Sequence, residues 1–344
     1  MKVSVKELNS YCIDVLKRVG MPQDEAEIFA EVLIQADQRG VKSHGVAAFG
    51  RYIKQIEDGH MLKKAKHTTV VDNPVIAVWD AHLSCAHVIS YFAMKEAIEK
   101  ARKYGIGFVG VRNSTHFGAG AYFTKQAADA GMIGIASSTA GPTMAPWGGT
   151  QKLIGNNPLS LSAPAASSPT VTLDMAQSVV AFGRIANLKT QGVKNIPEGW
   201  AFDKDGQPTT VTDDVYSLTP FGDYKGFGIA LFVDIISGML IGANTGPRCG
   251  GGGDCSNGHT FLAIDPSAFG ISPDEFKKVL EDRIAEFKSS PKKAGADNIY
   301  MPGELEEICY NNSQVEAEII DEVVDQLNEL AERIGSPLRV SGVK

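Results

Sequence analysis

No uninterrupted run of 18 apolar residues occurs in the 344-residue chain, so a membrane span is not expected. Basic residues are outnumbered: 33 Lys and Arg stand against 40 Asp and Glu, a net charge of −7. Nucleic-acid binding uses basic faces, so that function class is set aside. Cysteine is sparse and odd in number, at five, which fits a reduced, cytoplasmic protein rather than a disulfide scaffold. The first residues, Met1-Lys2-Val3-Ser4-Val5-Lys6-Glu7, lack the apolar stretch of a signal peptide and read as the start of a helix. The Gly250 to Gly253 run has no Gly-Lys-Ser/Thr and is not a phosphate-binding P-loop; it reads as a flexible surface loop. Metal-ligand spacing is also missing. His82, Cys85 and His87 have no evident fourth partner, and Cys249 with Cys255 has no matching second pair, so no metal is expected.

What is present is an α/β pattern. Apolar residues recur at helical spacing over 4–18, 24–38 and 44–57, and Ser43 is the expected N-cap of the third helix, with His44 in its first turn. The character changes near residue 67. Strands are expected at 68–71, 75–79, 108–111, 133–136, 170–174 and 261–264, and a helix over 88–103. Gly/Pro-rich loops are expected over 140–149, 157–169 and 197–220, and a Gly-rich mobile loop over 245–258. Residues 227–242 read as a long, central apolar helix interrupted by Asp234. Amphipathic helices over 273–288 and 314–334 close the chain. Alternating strands and helices indicate an α/β core.

Two histidines carry the functional signal. His116 sits in Asn113-Ser114-Thr115-His116-Phe117-Gly118-Ala119-Gly120, between a strand-like and a helix-like run. His44 sits in Gly40-Val41-Lys42-Ser43-His44-Gly45. Small residues let a flat ligand approach the backbone, and imidazole exchanges protons near neutral pH. The two read as parts of one acid–base site. Arg51 lies two turns along the same helix face as His44 and offers a fixed positive charge. Asp174 ends a strand, where ligands often bind in α/β folds, but it reads equally as a helix cap. Lys225 reads either as a solvated loop charge or as an anion contact at a helix start. Gly105-Ile106-Gly107-Phe108-Val109-Gly110 matches the dinucleotide fingerprint in the wrong context, because a helix precedes it and a strand runs through it. Cofactor preference is therefore expected to be set in loops outside 105–110.

These pieces resemble the malate/L-lactate dehydrogenase family, which is distinct from the Rossmann-type enzymes. It also contains ureidoglycolate dehydrogenase, 2,3-diketo-L-gulonate reductase, sulfolactate dehydrogenase and piperideine-2-carboxylate reductase. The resemblance runs from Ala36-Asp37-Gln38-Arg39-Gly40-Val41-Lys42-Ser43-His44-Gly45 through Asn113 to His116. It continues with Pro146-Trp147-Gly148-Gly149, Gly155-Asn156-Asn157-Pro158, Asp174-Met175-Ala176 and Ile196 to Ala201. Pro208-Thr209-Thr210, Lys225-Gly226-Phe227-Gly228, Gly258-His259-Thr260-Phe261 and Pro302-Gly303-Glu304 complete it. It implies a non-Rossmann, mixed-sheet nicotinamide-binding domain, here residues 73–310. A helical domain is implied from both chain ends, here 1–72 joined by helices within 311–344. It implies interconversion of a 2-oxo acid and a 2-hydroxy acid with NAD or NADP, with NAD slightly favoured, in a homodimer with sites near the interface. Ser43, His44 and His116 match the active-site positions. Asp174, Met175, Ala176, Lys225, Gly303 and Glu304 match cofactor-contacting segments.

During reduction, negative charge develops on the carbonyl oxygen, so a histidine should donate a proton there and a cation should hold the carboxylate. His116 is the first choice, with His44 polarising the substrate or sharing that role. One departure concerns the carboxylate. Many members carry arginine where this chain has Ala48, so Arg51 is the substitute anchor to examine, with Arg112 or a partner-subunit residue as other candidates. Gly141 replaces a polar residue of the ureidoglycolate enzyme, and Asn156-Asn157 stands where Thr-Asn is common. Reduction of a cyclic imine carboxylate is the alternative enzyme reading, and dinucleotide binding without turnover is the alternative of another class.

Overall fold

The structure is a computed structural model that describes residues 1–250 and 256–343. Most of the Gly250 to Gly253 run, and Cys255, lie outside the described residues.

The chain begins with two helices, α1 (Val5–Arg18) and α2 (Gln23–Gln38). Their buried residues are the periodic ones: Leu8, Tyr11, Cys12, Val15 and Leu16 on α1, and Ala26, Phe29, Val32, Leu33 and Ala36 among those on α2. All but Val32, which packs in the sheet core, and Ala36 join Phe49, Tyr52 and Ile53 and, from the far end of the chain, Val324, Leu327 and Leu330 in one apolar cluster. A fully buried Leu or Phe contributes roughly 1.5–3 kcal/mol relative to exposure, so this cluster is what ties the two chain ends together. A two-stranded ladder pairs Lys2–Ser4 with Glu316–Glu318 beside it.

The third helix differs from expectation. Residues 42–44 and 46–48 form two 3-10 turns, and α3 proper spans Phe49–Glu57. Ser43 caps nothing; its hydroxyl lies against the His44 ring instead. Gly45 interrupts the helical hydrogen bonding with an extended backbone (φ −89°, ψ −152°). A Cβ there would lie 2.2 Å from the Asp37 carboxylate, so the chain turns tightly over that group.

A seven-stranded mixed sheet forms the second core. Its strands are β1 (Thr68–Asp72), β2 (Ile76–Asp80), β3 (Ile106–Ser114), β4 (Ile133–Ser138), β5 (Leu159–Ala163), β6 (Val171–Met175) and β7 (Asn257–Ile264). The order is β1-β2-β3-β7-β4-β5-β6. Only β2 and β3 pair in parallel; the other five pairings are antiparallel. The helices α4 (Ala86–Tyr104) and α5 (Gly120–Asp129) pack on it. Strand β5 falls inside the loop expected over 157–169. Its Leu-Ser-Leu-Ser-Ala alternation buries Ser160 and Ser162, whose hydroxyls bond Thr124 of α5. The alternation is strand-like, but the serines face inward.

The fingerprint-like glycines serve packing. Gly105 ends α4 in the left-handed region (φ +86°). A Cβ on Gly107 would lie 1.9 Å from the Ala97 carbonyl oxygen of α4, so helix and strand touch backbone to backbone. We therefore expect Gly107→Ala to cost about 3 kcal/mol, the upper end for overpacking, in urea unfolding. A large rise in cofactor KM with unchanged stability would overturn this reading.

Residues 224–241 also differ from expectation. A helix, α7 (Tyr224–Val233), passes into a π-helical turn (Asp234–Gly238) and a 3-10 turn (Met239–Ile241). It is not central. Its small residues, Gly226, Ala230, Ser237 and Gly238, face inward, where a Cβ on Gly258 would come within 1.9 Å of the Ser237 carbonyl oxygen. Its largest exposed residues, Phe232, Met239 and Leu240, face outward at 64%, 57% and 68% exposure, while Val233 and Ile241 turn inward with the small residues. Hydropathy alone did not reveal this, because close backbone packing selects small side chains over large ones. By length and composition the stretch Tyr224–Ile241, with mean hydropathy 1.6, is apolar enough to cross a membrane, although no unbroken apolar run exists. Asp234, its polar exception, is buried and accepts a hydrogen bond from Asn157 Nδ2 at 2.8 Å. A further apolar cluster joins α7 to α6 (Phe182–Thr190) and a small five-stranded sheet between residues 142 and 218.

Candidate active site

A cavity of about 800 Å³ opens where α2, the 3-10 turns and α3 face the end of β3 and the start of α5. That volume is within the range of small-molecule sites. Strand β3 ends in an irregularity: Ser114 pairs with Asn257, yet Val111 already pairs with His259, and Asn113 has φ +52°. Such a bulge re-aims the chain and here directs Thr115 and His116 off the sheet. His116 and His44 meet in this cavity with their rings stacked, 5.5 Å between centroids. Ser43, Ala48 and Arg51 line the same space.

Each histidine is held by defined partners. Ser43 Oγ lies 2.9 Å from His44 Nδ1. Tyr52 Oη lies 2.7 Å from His116 Nδ1, and the Gly118 N–H donates to the same nitrogen at 3.3 Å. A backbone N–H can only donate, so Nδ1 is an acceptor and the ring proton sits on Nε2. Burial drives the His116 pKa well below the usual imidazole range, and the neighbouring His44 ring and Arg51 guanidinium lower it further. Burial and then Arg51 bring His44 down to about 4. Both rings are neutral at pH 7.

Residues behind the cavity fix its walls. His259, fully buried on β7, donates from Nε2 to the Thr115 carbonyl at 2.9 Å and accepts at Nδ1 from Ser138 Oγ at 2.9 Å. Its ring stacks on Phe117 with an interplanar angle of 3°. It thus braces both neighbours of His116. Asp37, 2% exposed, accepts the Val46 N–H at 2.7 Å and so staples the Ser43-His44 turn to α2. Burial raises the Asp37 carboxyl to about 7, opposed by the Val46 N–H and by Lys42. A raised folded pKa means a stability contribution that is full below the ordinary carboxyl range and is lost as pH rises through 7. We expect urea midpoints to fall between pH 4 and 7, and Asp37→Asn, which keeps an acceptor oxygen, to flatten that fall. A variant whose pH dependence parallels the wild type would rule this out.

Residues 3–328 match the model of the malate/L-lactate dehydrogenase family. The chain belongs to that family. It is 37% identical to the malate dehydrogenase of Pyrococcus abyssi, over 97% of this chain and 95% of that one. Among solved structures, the sulfolactate dehydrogenase of Methanocaldococcus jannaschii superposes with a TM-score of 0.90 at 34% identity, covering 98% of both chains. The malate dehydrogenase of Entamoeba histolytica superposes at 0.93 with 30% identity, covering 98% of this chain and 99% of that one. Relatives named for NAD(+) and for NADP(+) both match. The chain is accordingly a nicotinamide-dependent oxidoreductase acting between 2-hydroxy and 2-oxo acids.

As a member of this family the chain must accommodate a dinucleotide, and the cavity's donor set fits one. The run Gly118 to Ala121 lines it with small residues, and Asp174, Met175, Ala176, Gly303 and Glu306 also line it. Asp174 Oδ2 accepts the Ala121 N–H at 2.8 Å, so the N-terminus of α5 is filled by a carboxylate. A phosphate therefore has no place there, unlike at a Rossmann helix. Asp174 is thus both the helix cap and a cavity group.

Two expected contacts lie elsewhere. Glu304 turns away to Lys288 and the Met301 N–H, because its own helix (Glu304–Asn312) starts there and points Glu306 inward instead. Lys225 is exposed at the start of α7, outside the cavity of its own chain. Cys85 and His87 are buried behind Tyr52, whereas His82 bonds Thr68 and Asp80 at the surface. No group of three metal-ligating side chains forms among the described residues. Tyr52, Asp37, His259 and Glu306 were not identified from the sequence. The one available signal was Tyr52 at a core position of α3, since a buried tyrosine hydroxyl needs a partner.

Proposed function

We propose that this enzyme reduces a small 2-oxo acid to the 2-hydroxy acid, and catalyses the reverse, with His116 Nε2 as the proton donor to the carbonyl oxygen. The stacked His44–His116 pair, with Arg51 lining the same cavity, supports this most directly. His44, held by Ser43, polarises the carbonyl. Arg51 takes the carboxylate that the arginine missing at position 48 would hold. It has no carboxylate partner among the described residues and lies 5.0 Å over the Tyr52 ring. A bound reduced nicotinamide supplies the hydride. Asp174, Met175, Ala176, Gly303 and Glu306 hold the dinucleotide, and the acids among them favour a free ribose diol, hence NAD, over a 2′-phosphate. The activity is cytoplasmic. The division into 1–72 with 311–344 and 73–310 belongs to the same reading; the two apolar clusters support its outline, but strand β1 (Thr68–Asp72) pairs into the seven-stranded sheet, so the first boundary lies before residue 68. A screen of 2-oxo acids and cyclic imine carboxylates with NADH and NADPH, followed by nicotinamide absorbance, tests it. Turnover of imines alone would overturn the substrate assignment.

The enzyme is a homodimer in this reading, formed through the outward face of residues 224–241. Exposed Phe232, Met239 and Leu240 on one helical face make a large apolar patch of the kind that marks an interface. Lys225 begins that face, so in the dimer it serves near the boundary rather than in its own cavity. We expect light scattering to give a dimer for the wild type and a monomer for Phe232→Glu/Leu240→Glu. A wild-type monomer, or a dimer in the double variant, would remove the assignment.

A further inference from the structure

We propose that Tyr52 is the positioning residue that supplies a second proton behind His116, so that protonation of the substrate oxygen runs through a Tyr52–His116 relay. This rests on the function proposed above. The geometry that carries it is the acceptor state of His116 Nδ1, with Tyr52 Oη at 2.7 Å and the Gly118 N–H on the same atom. A neutral ring with its proton on Nε2 is a poor acid by itself, because losing that proton leaves an imidazolate. A donor already bonded to Nδ1 removes the difficulty.

The step balances. As the hydride forms the new C–H bond, the carbonyl π electrons move to oxygen. The oxygen takes the Nε2 proton of His116. Nδ1 takes the phenolic proton of Tyr52. His116 passes to its other neutral tautomer and Tyr52 to a phenolate; once the product alcohol leaves, the Nδ1 proton returns to the phenolate and Nε2 takes a proton from solvent through the cavity, which restores the starting state. One hydride and one solvent proton are consumed per carbonyl. An alkoxide is a stronger base than a phenolate, so the transfer runs downhill.

The surroundings suit this exchange. Tyr52 is fully buried on α3, wedged edge-on against the His87 ring at 4.8 Å and Phe29 at 5.6 Å. Burial pushes its hydroxyl up to about 12, and the Arg51 guanidinium opposes that rise. The phenolate therefore forms only beside a fixed positive charge. The other titratable groups around the pair are His44 from the 3-10 turn, His259 from β7, and Cys85 and His87 at the start of α4. All three histidines are held in the neutral form by burial, and the Cys85 thiol is pushed up to about 12. None of them competes as a proton source at neutral pH.

Tyr52→Phe removes the second proton and keeps the ring. The expected kcat at pH 7 is lower by ~10²-fold, the scale of a lost acid, with KM for the 2-oxo acid unchanged within about twofold. The variant must then form the imidazolium from solvent, so its kcat should climb as pH falls, where the wild-type profile is flat. In the free protein, ¹⁵N spectra of the His116 ring should show the Nε2–H tautomer in the wild type, with the Nδ1 resonance displaced in the variant, where only the Gly118 N–H remains on that atom. If Tyr52→Phe does not fold, 3-fluorotyrosine at position 52, a stronger acid of nearly the same shape, should move the alkaline loss of kcat to lower pH and leave the flat neutral region in place. Unchanged kcat, a loss of kcat with the wild-type pH profile, or an Nδ1–H wild-type ring would each overturn the relay. A wild type inactive on every 2-oxo acid would strike the proposed function, and the ¹⁵N spectra of the free protein would still decide the tautomer.

Discussion

His116→Ala is expected to lose at least ~10²-fold in kcat, the usual scale for deleting an acid–base group. The side chain reaches the cavity from a bulged strand end, and its Nδ1 is occupied by Tyr52 and Gly118, which leaves Nε2 for the substrate oxygen. The loss should fall on kcat and kcat/KM alike, because the proton transfer is made only in the transition state. The fold should survive. Thr115 and Phe117, on either side, are held by His259 through a hydrogen bond and a stacked ring, and neither contact uses the His116 side chain. A melting temperature near that of the wild type accompanies the prediction. His44→Ala should also damage the enzyme, with a larger share in KM, since its imidazole orients the substrate against Ser43. Steady-state kinetics on both variants test the assignment, and a His116→Ala enzyme with near-wild-type kcat refutes it.

Arg51→Ala should raise the KM for the 2-oxo acid by roughly 10- to 100-fold, because a hydrogen-bonding charged partner contributes ~1.5–3 kcal/mol. Its guanidinium lines the cavity with His44 and His116 and has no carboxylate partner among the described residues. The other cavity arginine, Arg39, is committed to Glu307 at 2.7 Å. Arg112 is likewise committed to Asp80. Ala48→Arg should supply the carboxylate anchor that the family resemblance implies at this position and shift preference towards small acids such as pyruvate or oxaloacetate. Ala48 and Arg51 lie within one turn and line one cavity, so the two substitutions should not add. An Arg51→Ala enzyme with unchanged KM would move the anchor elsewhere, with the partner subunit the next place to look.

Much of the fold was legible because its local rules are strong. The apolar positions of α1 and α2 recur at helical spacing and are buried one for one. Strands β2 to β4 follow alternating or continuous apolar runs, whereas β1, Thr-Thr-Val-Val-Asp, is strand-like by its β-branched residues and is exposed throughout. The wrong helix–strand order around residues 105–110 correctly argued against a Rossmann loop, and the Gly107 contact with Ala97 gives the reason. Where local rules failed, a tertiary contact had replaced them. Ser43 had the right chemistry for a helix cap, but Asp37 holds the following turn and frees the serine for His44. Residues 227–242 looked like a core helix because hydropathy does not distinguish a small inward face from a large outward one. Strand β5 was missed because its inward side chains are serines, whose hydrogen bonds to α5 stand in for apolar packing.

Short motifs at element junctions were enough to place the chain in its family and reaction class, and they singled out two histidines that the structure brings into one cavity. Packing between distant segments decided that the histidines stack and that the Gly118 N–H, beside Tyr52 Oη, holds His116 in one tautomer. It also decided that Glu306 rather than Glu304 faces the cavity. Those facts depend on how α3, β3, β7 and the helix at 304–312 meet. The distances involved are a few ångströms, set by backbone packing between segments up to 262 residues apart in the chain (from His44 to Glu306), and no local spacing encodes them.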